Sequence, residues 1–321
     1  MINRKIKIYH RVALIFVFCL LPGIFANGQS LPVAAPQSVG MSAEKLNQID
    51  ALVEKDIADK KLPGAVILVG HKGKVVYRKA FGNRALVPSI EKMTVDTIFD
   101  VASLTKSVAT ATSIMILVER GQIRLNDPIG KFIPKIEDEN IKKVTIQQLL
   151  THVSGFAPDF DLREKWTGND GMLQALNKEK LRQAAGTRFV YSDIGFIVLG
   201  EIVERVSKIK LGYFPREEVF EKLGMKNSSF RTDTNLAKTA AVSITSIAPT
   251  ENIKGQNSYL GSKFEGDEKT GNQMLRGKVH DPTAFRMGGV AGHAGLFSTA
   301  DDLARFCQML LNGGILDGKR I

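Results

Sequence analysis

Cysteine is nearly absent: the 321 residues hold only Cys19 and Cys307. Cys19 lies in an apolar stretch expected to be removed, which leaves Cys307 alone and excludes an internal disulfide even in an oxidising compartment. Stability therefore has to come from packing. Metal motifs are missing as well, with no His-Glu-x-x-His, no Cys-x-x-Cys and no Asp-rich calcium loop. No metal and no cofactor is implied. There is no Gly-x-Ser-x-Gly elbow, which argues against the strand-to-helix nucleophile turn that such a motif builds. The cations are scattered and no nucleic-acid motif accompanies them, so a nucleic-acid partner is not expected. No apolar run reaches the roughly 20 residues needed to span a bilayer.

Composition is otherwise that of a globular chain, 44% hydrophobic and 24% charged. This suits one large domain or two small ones. At the start, Arg4, Lys5, Lys7 and Arg11 precede an uncharged run from Val12 to Leu21 that Pro22-Gly23 breaks. Ala26-Asn27-Gly28 then offers small residues at the −3 and −1 positions before Gln29. Residues 1–28 are read as a secretory signal peptide and residues 29–321 as the folded domain. An uncleaved anchor is the alternative, but the run is short for one. Phe16-Val17-Phe18 lacks the small residue that lipoprotein processing needs before Cys19. The expected product is exported, periplasmic or secreted, with no stable membrane span after processing. The first 28 residues hold four of the cations behind the net charge of +11, leaving +7 on the remainder. That surface suits an anionic envelope.

Ser42 to Lys60 carries Leu46, Ile49, Leu52, Val53 and Ile57 at helical spacing. Ala65–Val69 and Lys74–Tyr77 are β-rich runs around Gly70-His71-Lys72-Gly73, a hairpin signal that makes His71 an exposed turn residue. Helices are predicted over Ser103–Glu119, Thr145–His152, Ser192–Val206 and Pro215–Leu223, so that the region from about 103 to 230 is all-helical. Thr232 to Lys278 is polar and reads as a long surface excursion. A last helix runs from Thr299 to Leu311, with Ser298 and Asp301 as a capping-box-like start, Leu303, Phe306, Cys307 and Leu310 as its buried stripe, and Gly313 ending it. There is no internal repeat.

Ser-x-x-Lys occurs four times. Three copies, at Ser42, Ser89 and Ser207, fall among charges and read as solvated surface. The fourth, Ser103-Leu-Thr-Lys106, precedes twelve residues, Ser107 to Val118, that carry no charge. Its helix is apolar nearly all round and should be buried. Lys106 is then a lysine entering a core, where a lowered pKa is the usual escape from the cost of burying charge. At i and i+3 the two side chains share a face, so the amine reaches the hydroxyl and can act as its base. Taken alone, the segment is also consistent with a capping serine and a lysine that reaches solvent. Tyr191, at the mouth of the Ser192 helix, could relay a proton or simply pack on Phe189 or Phe196. His152 and His280 have no partner at a telling spacing.

Together, Ser103-Leu-Thr-Lys106, Leu149-Leu-Thr-His-Val-Ser-Gly155, Gly186-Thr-Arg-Phe-Val-Tyr191-Ser-Asp193 and Leu223-Gly-Met225 resemble, in order, the serine β-lactamase-related hydrolases. These comprise class C β-lactamases, low-molecular-mass penicillin-binding proteins and related esterases. Val279-His-Asp-Pro282 and Gly288-Gly-Val-Ala-Gly-His-Ala-Gly-Leu-Phe-Ser298 look like the carboxypeptidase-like branch, and the likeness covers residues 40 to 320. The resemblance implies an α+β fold, an antiparallel sheet flanked by helices beside an all-helical region, of β-lactamase/transpeptidase type. It implies Ser103 as the acylated nucleophile, Lys106 as its base, Tyr191 as a proton-transfer assistant, and the Ser103 N–H as half of an oxyanion hole. The implied reaction is hydrolysis of a peptide, ester or lactam, with D-alanyl peptidoglycan ends as the foremost substrate class. Asp193 is the substrate-binding candidate; class C enzymes carry asparagine there, and an ionised carboxylate cannot donate to a lactam amide. The third family motif, Lys or His, a small residue and Gly on a sheet-edge strand, is not found beyond the Thr299 helix. The chain is thus expected to lack C-terminal strands, and His293-Ala-Gly295 is either a substitute for the motif or a glycine-rich turn packed near the site. A non-catalytic envelope binding protein retaining the fold is the alternative function.

Overall fold

A computed structural model describes residues 30–231, 244–252 and 274–321. The expected leader, residues 1–28, and most of the expected polar excursion lie outside the described residues. Among them no helix is long and apolar enough to cross a membrane. The fold is mixed α+β with antiparallel sheets, in agreement with expectation.

The N-terminal part is a helix laid on a hairpin. Helix Ala43–Ala58 starts at Ser42, whose Oγ accepts from the Lys45 N–H at 3.2 Å, a regular N-cap. Strands Gly64–His71 and Lys74–Ala85 pair antiparallel, and Glu91–Lys92 adds a short third strand beyond them. The first strand is therefore an edge among the described residues. Beside it runs a groove of about 830 Å³ between Val66 and Leu68 of the strand and Leu303, Cys307 and Leu311 of the last helix.

The sequence offers no hint of a second small sheet. Phe99–Asp100 and Ser229–Phe230 flank the central strand Leu296–Ser298, bringing together residues from three distant parts of the chain. Two or three residues per strand are too few for an alternation pattern, so only tertiary packing reveals them. Its Phe99–Asp100 strand ends three residues before Ser103.

The helical region is the core. In helix Asp193–Ser207 every residue from Ile194 to Val203 is buried, as the all-round apolar sequence requires. It packs on the Ser103 helix and on helix Ile146–Leu150, which Thr145 and Gln148 close with a complete capping box. The expected helix at Pro215–Leu223 is a π-helical turn, Arg216–Phe220.

Two expectations need correction. The last helix, Ala300–Leu311, is capped by Thr299, not Ser298, since Thr299 Oγ1 accepts from the Asp302 N–H at 3.2 Å. Its buried face is Asp302, Arg305, Phe306 and Met309, whereas Cys307 and Leu310 are exposed. Polar anchors turn the helix: Asp302 accepts from Asn227 N–H and Ser228, and Arg305 reaches Asp317 and the Leu223 carbonyl. Likewise, the described parts of Thr232–Lys278 are not a free excursion. Ile247 is fully buried against Ile98 and Phe297, Glu251–Asn252 pairs with Met274–Leu275, and Arg276 forms a bidentate contact with Glu91 at 2.7 and 3.0 Å.

Candidate active site

Ser103 sits at an abrupt change of backbone. Ala102 adopts φ +46°, a left-handed conformation that a residue with a side chain rarely takes. Asp100 holds it there, with Oδ1 accepting from the Ala102 N–H at 2.9 Å and Oδ2 from the His280 N–H at 2.8 Å. Burial raises the Asp100 pKa, and these two backbone bonds partly offset the rise. Leu104 then begins the helix, and Lys106–Ala111 winds as a π-helical segment before Thr112–Glu119 becomes regular α-helix. Such i→i+5 bulges recur at functional sites because they re-aim side chains within an otherwise fixed helix.

The outcome is an exposed hydroxyl beside a buried amine. Ser103 is open to solvent, while Lys106 is 3% exposed. Lys106 Nζ lies 3.0 Å from Ser103 Oγ, 3.1 Å from the His293 carbonyl oxygen and 2.6 Å from Asp193 Oδ1. The buried ammonium is thus paired rather than isolated, which sequence reasoning did not foresee. Asp193, predicted as a substrate contact, lies against the lysine and is the first residue of its helix, with the Ser192 side chain as the cap. None of the hydrogen bonds of the described residues uses the Ser103 N–H.

Tyr191 stands over this pair, with its ring centroid 4.8 Å from Lys106 Nζ and the residue 44% exposed. Its packing partner is neither Phe189 nor Phe196 but His152, stacked at 4.4 Å. His152 in turn touches both phenylalanines, and its Nδ1 accepts from the Ser192 N–H at 3.1 Å. Desolvation, followed by the charge of Lys106, holds the His152 pKa below its ordinary value, which favours the neutral ring that this acceptor role needs. The overlooked signal is its place in Leu-Thr-His-Val-Ser-Gly: His152 has φ +58° and ends a short helix, turning the ring inward.

A second overlooked set lies behind the lysine. His293 is fully buried, and its Nε2 meets Asp281 Oδ1 at 2.8 Å while its Nδ1 has no partner. Burial pushes the Asp281 carboxyl up, but the bond and attraction from His293, with the Ala284 N–H, outweigh it and leave the pKa lowered. Asp159, which accepts from Thr283 Oγ1 at 3.1 and 3.2 Å, is pushed up to about 6, by burial first and then by the charge of Asp281. Donor atoms of Asp193, Asp281 and His293 lie within 4.8 Å of one another, close enough to converge on one cation. Asp193 is already engaged by Lys106 and Asp281 by His293, so the cluster reads as a charge network around the lysine. In His293-Ala-Gly295 the ring is engaged by Asp281, and the backbone carbonyl is what touches Lys106.

The segment is seated by close backbone contact. A Cβ on Gly292 would fall 1.9 Å from the Phe196 carbonyl oxygen, and Thr110 Oγ1 donates to the Gly292 carbonyl at 2.7 Å. Only glycine lets this strand of chain lie on the Asp193–Ser207 helix.

Residues 49–321 match the family model described as beta-lactamase. A protein of Salmonella heidelberg (strain SL476) named "Putative D-alanyl-D-alanine carboxypeptidase" is 33% identical over 304 residues, covering 88% of this chain and 68% of that protein. An octameric penicillin-binding protein homologue from Pyrococcus abyssi superposes with a TM-score of 0.62 at 25% identity; 84% of this chain is covered, but only 57% of that one. A class C beta lactamase from Rhodobacter sphaeroides shares the fold with a TM-score of 0.64 at 20% identity, over 84% of this chain and 67% of its own.

Proposed function

Since the chain belongs to the β-lactamase family, we propose that it is a serine hydrolase that opens a peptide, ester or lactam carbonyl through an acyl-enzyme on Ser103, with D-alanyl carboxypeptidase-like chemistry as its main activity. The observation that carries this reading is Lys106 Nζ at 3.0 Å from Ser103 Oγ, buried where water competes poorly for the proton. Attack by Ser103 Oγ on the carbonyl carbon forms the C–O bond as its proton passes to the Lys106 amine. Asp193 Oδ1, 2.6 Å from Nζ, offsets the positive charge the lysine gains as it takes the serine proton. The developing oxyanion is met by the Ser103 N–H, a contact typically worth about 3 kcal/mol. Tyr191, beside Lys106 and open to the cleft, returns the proton to the leaving group. Water then attacks the acyl carbon by the same route and frees Ser103.

The substrate class rests on the carboxypeptidase name of the Salmonella relative and on the motif likeness of Val279-His-Asp-Pro282 and the glycine-rich segment that follows. In this reading residues 29–321 act as one hydrolase domain and residues 1–28 as the leader that exports it to the periplasm or beyond. The basic start and small-residue cleavage site support that leader. N-terminal sequencing of protein from an envelope fraction should begin near Gln29, and an intact Met1 would reject cleavage.

The decisive experiment is acylation. A fluorescent penicillin or an activated ester should add its acyl mass to the Ser103 peptide of the native chain and not to Ser103→Ala. Labelling at another residue, or equal labelling of both proteins, would remove Ser103 as nucleophile.

A further inference from the structure

Apart from the cleft, one buried cation stands out by what faces it. Arg231 is 6% exposed, yet no carboxylate, carbonyl or hydroxyl among the described residues accepts from its guanidinium, and its Nε is buried without a partner. Its contact is the face of Phe297, 5.8 Å away. Other enclosed arginines of the described residues are satisfied differently. Arg276 grips Glu91, Arg286 donates to the Leu162 and Glu164 carbonyls, and Arg305 reaches Asp317. Because arginine stays protonated, an enclosed guanidinium without an oxygen partner is costly. Burial lowers the Arg231 pKa, and no acid among the described residues counters it.

Arg231 lines a cavity of about 90 Å³ with Gly277, Lys278, Val279, Phe285, Gly288 and Gly289, and no acid is among them. That volume is about three times a water molecule's share of the liquid. The walls are built around the arginine: Gly289, at φ +86°, lies so close that a Cβ would stand 2.6 Å from the Arg231 carbonyl oxygen. They also adjoin the nucleophile. Phe297 pairs with Asp100 across the small sheet, and the residue after Val279 donates its N–H to the Asp100 carboxylate that holds Ala102.

We infer that the Arg231 cavity is a binding site for a small oxyanion of the carboxylate or phosphate type. A planar guanidinium matches two oxygens of such a group, and a second cation lines the wall. The oxyanion is either a free anion or the acidic end of a substrate; only the latter source rests on the hydrolase reading.

The test begins with stability, which needs no activity. The full chain and Arg231→Met are melted in a zwitterionic buffer while inorganic phosphate is titrated in. The native chain should gain several degrees with saturation, as ligand linkage requires. Arg231→Met should melt at or above the native chain without phosphate and show no saturable gain. A native melting point indifferent to phosphate, or an equal gain in both proteins, would overturn the site. Should Arg231→Met not fold, calorimetric titration of phosphate into the native chain decides alone: one site per chain supports the inference, and no binding heat ends it. The source follows from two activated esters, one with a carboxylate on its acyl part and one neutral. If the substrate brings the oxyanion, phosphate competes only with the acidic ester, and Arg231→Lys raises KM for that ester about tenfold while sparing the neutral one. If the anion is free, phosphate leaves both KM values unchanged while the saturable stabilisation persists.

Discussion

The hairpin Gly64–Ala85 and the helix Asp193–Ser207 bury themselves in opposite ways. Along the first strand, residues 64 to 69 are all half-buried and none is enclosed, so both faces of the strand see some solvent. In the helix, Ile194 to Val203 are buried without a break. The difference lies in what each element packs against. The helix meets the Ser103 helix, helix Ile146–Leu150 and the backbone of Gly292, whereas the strand has a single strand neighbour among the described residues and meets the last helix, Ala300–Leu311, across an open groove. The candidate site is assembled on the dense side: Lys106, Asp193 and the His293 carbonyl all belong to it.

The sharpest break between chemistry and packing should come at Ser103. Ser103→Ala is expected to cut ester hydrolysis by about 10³-fold or more while moving the melting temperature little, because its hydroxyl is exposed and supports no packing. Parallel kinetics and melting check this, and a large fall in stability would mean that the serine is structural.

Ile197→Ala, at a position with no exposure in the middle of the dense helix, should cost about 2–5 kcal/mol by denaturant unfolding. Gly292→Ala should cost about 1–3 kcal/mol or more and also depress turnover, since the Gly292 segment must lift off the Phe196 carbonyl and carry the lysine's partner, the His293 carbonyl, with it. Unchanged kinetics in a folded Gly292→Ala protein would show that the His293 segment does not position Lys106.

Titration should separate the regions too. Asp159 has a folded pKa of about 6 against 3.8 ordinarily, so the folded protein binds the extra proton between those values. Stability is then highest below about pH 4 as far as this group is concerned, falls as pH rises through 6, and stays lower above it. Asp159→Asn should remove that slope and stabilise the protein at pH 8 by about 2 kcal/mol, at 1.36 kcal/mol per unit with some allowance for partial exposure. Asp50, on the N-terminal helix, shifts the other way because Lys79 and Tyr77 donate to it. Its contribution is lost as pH falls through its lowered pKa, and Asp50→Asn should flatten only the acid limb of a pH–melting curve.

The smallest effect is expected on the open strand. Leu68→Ala, half-buried beside the groove, should cost about 1 kcal/mol. A loss as large as that of Ile197→Ala would erase the contrast and show that the groove wall is packed as tightly as the core.

Sequence by itself determined the parts whose physics is local. A charge-free run after Ser103-Leu-Thr-Lys106 dictates a buried helix, and i, i+3 spacing dictates that amine and hydroxyl meet. Turn residues around Gly70–Gly73 dictate the hairpin, and Ser42 and Thr145 announce their helices through their caps. Tertiary structure alone decided what surrounds the lysine. Asp193, Asp281, His293 and Asp159 are separated by many residues, and only the packing of Gly292 on the Phe196 carbonyl brings the His293 carbonyl to Lys106. The small sheet beside Ser103 escaped notice because its strands are too short for periodicity. The cap of the last helix moved from Ser298 to Thr299 because Asp302 and Arg305 are drawn inward by distant partners. Periodicity and spacing report neighbours along one element; long-range electrostatic pairing has no period and becomes visible only when the chain has closed on itself.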